Sequence, residues 1–164
     1  MRLPDKKLDR LDIRLLAELQ GAGRLTYQEL GERVGLSTSP CLQRVKKLEL
    51  QGYIAGYGAW IEIHKLHDVT AVFTSVTLNA HTSADFLRFE SALRNYPELL
   101  ECHLVSGGFD YLLKWQTLSI AHYQKLIEDL LESDAGINKY FSYIVIKTPI
   151  FQRYAPVALV APQE

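Results

Sequence analysis

Cysteine is scarce in this sequence: Cys41 and Cys102 are the only two in 164 residues. They stand sixty-one positions apart, too few and too distant for a disulfide framework or a zinc site, so both read as small core hydrophobes. The five histidines share no metal-ligand spacing, and no serine has a base partner nearby in sequence. Catalysis therefore has no visible apparatus, and neither a metal nor a cofactor is expected. Long apolar runs are also missing: none approaches the roughly 20 residues that a bilayer span requires. Residues 1–4 lead directly into charged positions without the apolar stretch of a signal peptide, so no membrane partner is expected and the location expected is cytoplasmic.

What is present is an apolar content of 48%, enough for real cores in one domain or two small ones. The net charge of −1 hides an asymmetry. Up to Trp60 there are ten Lys and Arg against seven acids, and beyond it eight against twelve. A basic first third followed by an acidic remainder points to a polyanion that meets the N-terminal third alone.

Within that basic third the same helix-entry pattern recurs three times: an apolar residue, a capping residue, and a second apolar residue five positions after the first. Leu8-Asp9 with Ile13, Leu25-Thr26 with Leu30 and Leu36-Ser37 with Cys41 each fit the hydrophobic staple, and Asp9/Asp12 and Thr26/Glu29 approximate capping boxes. With glycine stops at 21 and 23, 35 and 52, three short helices are predicted over 10–20, 27–34 and 38–50. Gly31 and Gly35 would let the second and third cross closely, as in a helix-turn-helix. The third helix sets Cys41, Val45 and Leu48 on one stripe and Ser39, Gln43, Lys46 and Lys47 opposite, with Ser37 as N-cap and able to bond the Ser39 N–H. That polar, cationic face suits the major groove of DNA, although a solvated surface helix would carry the same pattern.

After Gly52 the period changes. Residues 53–63 look like two short strands around a glycine turn, a wing beside the helix-turn-helix, and residues 64–68 read as a polar hinge. From 69 onward the order is strand (69–79), helix (83–96), strand (100–106), strand (109–117), helix (119–131) and strand (140–147). This is the ferredoxin-like βαββαβ arrangement, with one antiparallel sheet and both helices on one face. The other face, assigned Val72, Leu104 and Ile144, is expected to make a homodimer. The tail 148–164, with three prolines, could exchange with a neighbour or be loose.

The stretches LDRLDIRLLAELQ, GRLTYQELGERVGLS and SPCLQRVKKLELQGYI resemble the winged helix-turn-helix of the Lrp/AsnC family, the leucine-responsive or feast/famine regulators. YPELLECHLVSGGFDYLLK resembles that family's effector-binding, or RAM, domain, whose middle turn has the form G-x-x-D-Y-x-L. The resemblance runs from Leu8 to about Phe151. It implies an α+β chain with a DNA-binding domain over 1–65 and a RAM domain over 66–164, forming a homodimer and higher homo-oligomers. It implies double-stranded operator DNA and a small effector, an amino acid, as partners. Ser37, Thr38, Ser39 and Gln43 are the expected base-side contacts, and Arg44, Lys46 and Lys47 the expected phosphate contacts. Ser106, Gly107, Gly108, Asp110 and Tyr111 are the expected effector residues, Asp110 pairing with the ammonium; the same turn could be a plain tight hairpin. Two other readings stay open: an enzyme like the siroheme decarboxylases, which share this fold, and an architectural DNA-binding protein indifferent to ligands. The departures from the family pattern are Gly31, where alanine is usual, and Thr38, where proline is common.

Overall fold

The structure, a computed structural model, describes residues 8–157. The chain forms two compact units: Met1–Ile61 together with Ile150–Glu164, and Glu62–Pro149. The expected division at 65/66 differs from this in two ways. The boundary falls earlier, and the tail belongs with the first unit; its residues 158–164, like residues 1–7, lie outside those described.

The first unit contains α1 (Arg10–Gly21), α2 (Tyr27–Val34) and α3 (Thr38–Leu50). Both expected capping boxes are formed, Asp9 with Asp12 and Thr26 with Glu29. Gly35, at φ +78°, closes α2 in the left-handed region that glycine tolerates. At the end of α3 the Tyr53 N–H reaches Leu48 O and the Gly52 N–H reaches Glu49 O, both at 3.0 Å, a complete Schellman stop. Leu15, Leu30, Val34, Cys41, Val45 and Leu48 form the core, and the N′ residues Leu8, Leu25 and Leu36 pack against it. Helices α2 and α3 approach so closely that a Cβ on Gly31 would lie 2.6 Å from Leu36 O.

The expected wing strands are absent: residues 53–62 have no regular secondary structure. Two strands interrupted by Gly56 and Gly58 cannot sustain a ladder, since an isolated hairpin is marginal even without glycines. Within this unit Trp60 meets tail residues instead, Tyr154 edge-on at 6.5 Å between ring centroids and the Arg153 guanidinium at 5.7 Å.

The second unit opens with a short 3-10 turn (Ile63–Lys65) in the predicted hinge. It continues with β1 (Thr70–Leu78), α4 (Ser83–Leu93), β2 (Leu99–Leu104), β3 (Tyr111–Thr117), α5 (Ile120–Glu132) and β4 (Ile137–Ile144). The strands lie in the order β2-β3-β1-β4, all neighbours antiparallel, as the ferredoxin-like reading requires. Val72, Val76, Leu113 and Trp115 pack with Phe89, Leu93, Tyr123, Ile127 and Leu130 from the helices. The buried Thr74 hydroxyl meets the Tyr123 hydroxyl at 2.7 Å on the same side.

The parity of the sheet corrects the dimer-face expectation. Val72 is opposite Trp115 and Ile144, and Leu104 opposite Tyr111, so all three named residues share the helix-covered side. The uncovered side takes the alternate positions. Phe73 lies between Lys114 and Tyr143, and Ser75 between Leu112 and Phe141. Cys102 is also not the core residue expected: it is exposed on the edge strand β2, whereas Cys41 is buried.

Candidate DNA-binding surface and effector turn

Helix α3 is held by its stripe: Cys41, Val45 and Leu48 are fully buried, and the opposite face is left outward. Ser37, Thr38, Ser39, Gln43, Lys46 and Lys47 are all exposed. No acid among the described residues engages Lys46 or Lys47, and Glu49, the one acid on this helix, accepts the Tyr57 hydroxyl at 2.7 Å. Ser37 occupies the N-cap position but makes no side-chain cap bond, contrary to expectation. The third helical residue, where a cap hydroxyl commonly finds its N–H, is Pro40, which has none. Ser37, Thr38 and Ser39 are therefore exposed, without a side-chain cap, at the positive end of the helix dipole.

Arg44, expected to meet a phosphate, is engaged within its own unit. Its Nη1 donates to Asp9 Oδ2 at 2.6 Å and Asp12 Oδ1 at 2.7 Å, tying α3 to the capping box of α1. These bonds to Asp9 and Asp12 push the Arg44 guanidinium above its ordinary value. Burial pushes the Asp9 carboxyl up, but the Asp12 N–H and the Arg44 guanidinium together outweigh it and leave the group below 3.8. Nothing in the sequence marks this pairing, because its partners lie 32 and 35 residues away and were already explained as a cap. Leu50, at the far end of α3, is 90% exposed with nothing of this unit over it.

The structure does not gather the five residues expected in the effector turn. Ser106, Gly107 and Gly108 are exposed in open space, and Gly107, at φ +148°, requires glycine. Asp110 is bound to its own unit. Its N–H donates to Val76 O at 2.9 Å, its carbonyl accepts the Val105 N–H at 2.8 Å, and Oδ2 accepts the Leu78 N–H at 2.8 Å. His81 Nε2 lies 3.0 Å from the same Oδ2. The carboxylate expected to take an ammonium thus already accepts a bond from β1 and lies beside His81. Tyr111 points into the core, its ring 4.7 Å from that of Phe89, and its hydroxyl donates to Glu90 Oε1 at 2.8 Å. Burial and this bond hold the Tyr111 phenol protonated well above its ordinary range. The sequence reading missed His81 and Glu90, whose contacts depend on strand register that no local pattern reveals. Among the described residues no three His, Cys, Asp or Glu side chains are grouped to hold a metal ion.

A family model described as the Lrp/AsnC ligand binding domain matches residues 71–154, and one described as winged helix-turn-helix DNA-binding matches residues 8–55. The chain belongs to the Lrp/AsnC family. Among Lrp/AsnC relatives it is 46% identical to the transcriptional regulatory protein DoeX of Halomonas elongata, covering 87% of this chain and 90% of the relative. It is 44% identical to the leucine-responsive regulatory protein of Escherichia coli, covering 88% of each. A transcriptional regulator from Neisseria meningitidis, crystallised as an L-Met complex, superposes with a TM-score of 0.87 at 32% identity, covering 94% of this chain and 99% of that one. Like other Lrp/AsnC proteins, the chain is a transcription regulator that joins a DNA-binding helix-turn-helix to a ligand-binding domain. Its α+β fold agrees with theirs.

Proposed function

We propose that the protein binds operator DNA as a homo-oligomer, without enzymatic activity of its own, and that an amino acid tunes this binding. The observation that carries the reading is α3, which buries one stripe completely and leaves Gln43, Lys46 and Lys47 outward and unengaged. In this reading Gln43 reaches base edges, adenine by preference, while Lys46, Lys47 and the N–H groups at Thr38 and Ser39 meet phosphates. Arg44 holds the helix in place. The L-Met complex of the Neisseria relative and the leucine-responsive relatives support an amino acid as effector. For oligomers, the support is the uncovered sheet face with Phe73, Leu112, Phe141 and Tyr143. No helix among the described residues is long and apolar enough to cross a membrane, which fits a cytoplasmic regulator.

The test measures fluorescence anisotropy on operator and random duplexes across a salt series. Lys46→Ala and Lys47→Ala should each weaken binding to every duplex and lower the salt slope by about one. Gln43→Ala should cost about 1–3 kcal/mol at one operator position and leave random DNA unchanged. Wild-type protein that ignores both duplexes at low salt would end the DNA-binding proposal. A thermal-shift series over the twenty amino acids tests the effector, and twenty flat curves would remove it.

A further inference from the structure

Two contacts mark the flanks of α3. On one flank Arg44 is bonded to Asp9 and Asp12, and on the other Glu49 accepts the Tyr57 hydroxyl at 2.7 Å. Midway between them, opposite the buried Cys41, Val45 and Leu48, stand Ser39, Gln43, Lys46 and Leu50. They follow one another at i, i+4, i+7 and i+11, which on a helix of about 3.6 residues per turn places all four within about 60° of one another. Three of them are polar. Leu50 is not, and at 90% exposure it is the one large apolar side chain of α3 that is exposed. Gly52, at φ +75°, then turns the chain back, and Tyr53 and Ile54 pack on the core rather than over Leu50. A lone exposed leucine is ordinary on a protein surface. One in line with Gln43 and Lys46 is placed to touch what they touch.

We propose that Leu50 is a specificity-determining residue that packs on the 5-methyl group of a thymine in the major groove. The inference rests on the DNA-binding reading of α3 above and extends it past Gln43. Phosphates and polar base edges offer a leucine nothing, and the thymine methyl is the apolar group that the groove presents. Seven residues at about 1.5 Å each set Leu50 about 10 Å beyond Gln43 along the helix, far enough to meet a different base pair. Gln43 and Leu50 then read two positions by different means, the first by hydrogen bonds to adenine and the second by contact with thymine. In a homodimer the contact recurs in each half-site.

The experiment selects duplexes from a random-sequence pool with full-length wild type and, in parallel, with Leu50→Ala. Single thymines in the sequence that wild type selects are then replaced by deoxyuridine, which keeps every hydrogen-bonding group and lacks only the methyl. Leu50→Ala suits the test because the position is exposed and alanine is the best helix former; circular dichroism and melting verify the fold. Wild type should select a thymine at one position of each half-site that Leu50→Ala no longer selects. Deoxyuridine there should weaken wild-type binding by about fourfold per half-site, the worth of one buried methyl group, and leave Leu50→Ala unchanged. Equal losses in the two proteins, or no thymine whose methyl matters to wild type, overturn the inference while leaving Gln43, Lys46 and Lys47 on DNA. A folded Leu50→Ala whose oligomeric state without DNA differs from wild type by light scattering assigns Leu50 to a contact between copies and also overturns it. Wild type that retains no duplex from the pool at low salt overturns the DNA-binding reading together with this inference.

Discussion

Replacing Arg44 by methionine keeps the alkyl stem, deletes the guanidinium and separates a structural role from a DNA contact. Two ion pairs are lost. In the Asp9 pair the side chains are 30% and 52% exposed, so after solvent screening it contributes at most about 1 kcal/mol. Asp12 is different, with its side chain only 2% exposed. Stranding a carboxylate at a fully buried pair costs about 3–5 kcal/mol, but Arg44 still reaches solvent and Asp12 keeps the Asp9 N–H at 3.3 Å. Together these place the loss at about 2–3 kcal/mol, and at roughly 4–8 °C per kcal/mol for a unit of this size the melting temperature should fall by roughly 10–20 °C.

Calorimetry of the full chain reads that transition, and a salt series on operator DNA reads the other possibility. A phosphate contact would leave melting unchanged and lower the salt slope by about one; that pair of results would refute the structural assignment. The pH dependence adds a second reading. The Asp9 carboxyl lies below its free value of 3.8. A group depressed in the folded state stabilises fully above its unfolded value, and the contribution is lost as pH falls through its folded value. Wild type and Arg44→Met should therefore differ most above pH 3.8 and approach one another in the acid limb below it.

Gly31→Ala gains up to about 1 kcal/mol of helix propensity, yet its Cβ would meet Leu36 O at 2.6 Å, a backbone atom that cannot rotate away. Overpacking costs about 1–3 kcal/mol, so a net loss is expected in urea denaturation, and a stabilised variant would show that α2 and α3 separate at little cost. Phe141, 51% exposed on the uncovered sheet face, can become Glu without harming the monomer; Phe141→Glu should yield a folded monomer by light scattering, and an intact dimer would place the interface elsewhere. Asp110→Ala leaves the Leu78 N–H without its acceptor and should destabilise the second unit by about 1–3 kcal/mol. Asp110→Asn, which keeps an acceptor, should recover most of that, and equal melting of the two variants would argue against the tie.

Most features written into consecutive residues were legible from the sequence, the Ser37 cap and the two strands over 53–63 being the exceptions. The caps at Asp9 and Thr26, the stop at Gly52 and the stripe Cys41, Val45, Leu48 depend on neighbours within one or two turns, and all appear where expected. The order of the sheet followed from the order of its elements. What depended on parity or on distant pairing was not legible. Strand β1 is apolar on both sides, with Val72 and Val76 on one and Ala71 and Phe73 on the other, so alternation could not decide which side meets the helices. The candidate sites fared the same way: Arg44 and Asp110 were recognised as important charges, but their partners Asp12, Leu78 and His81 lie about thirty residues away. A carboxylate at a turn looks identical in sequence whether it is waiting for a ligand or already bonded.

The return of residues 150–157 to the first unit bears on how the protein is made. Synthesis runs from the N-terminus, and domains generally fold as they emerge, the earliest first. Helices α1 to α3 can form early, but the segment that sets Arg153 and Tyr154 against Trp60 is translated only after the whole of β4. The contacts around Trp60 therefore close only after the last strand of the ligand-binding fold has been made. Chains that stall or are clipped before residue 150 keep the recognition helix but lack the contacts that Arg153 and Tyr154 make with Trp60.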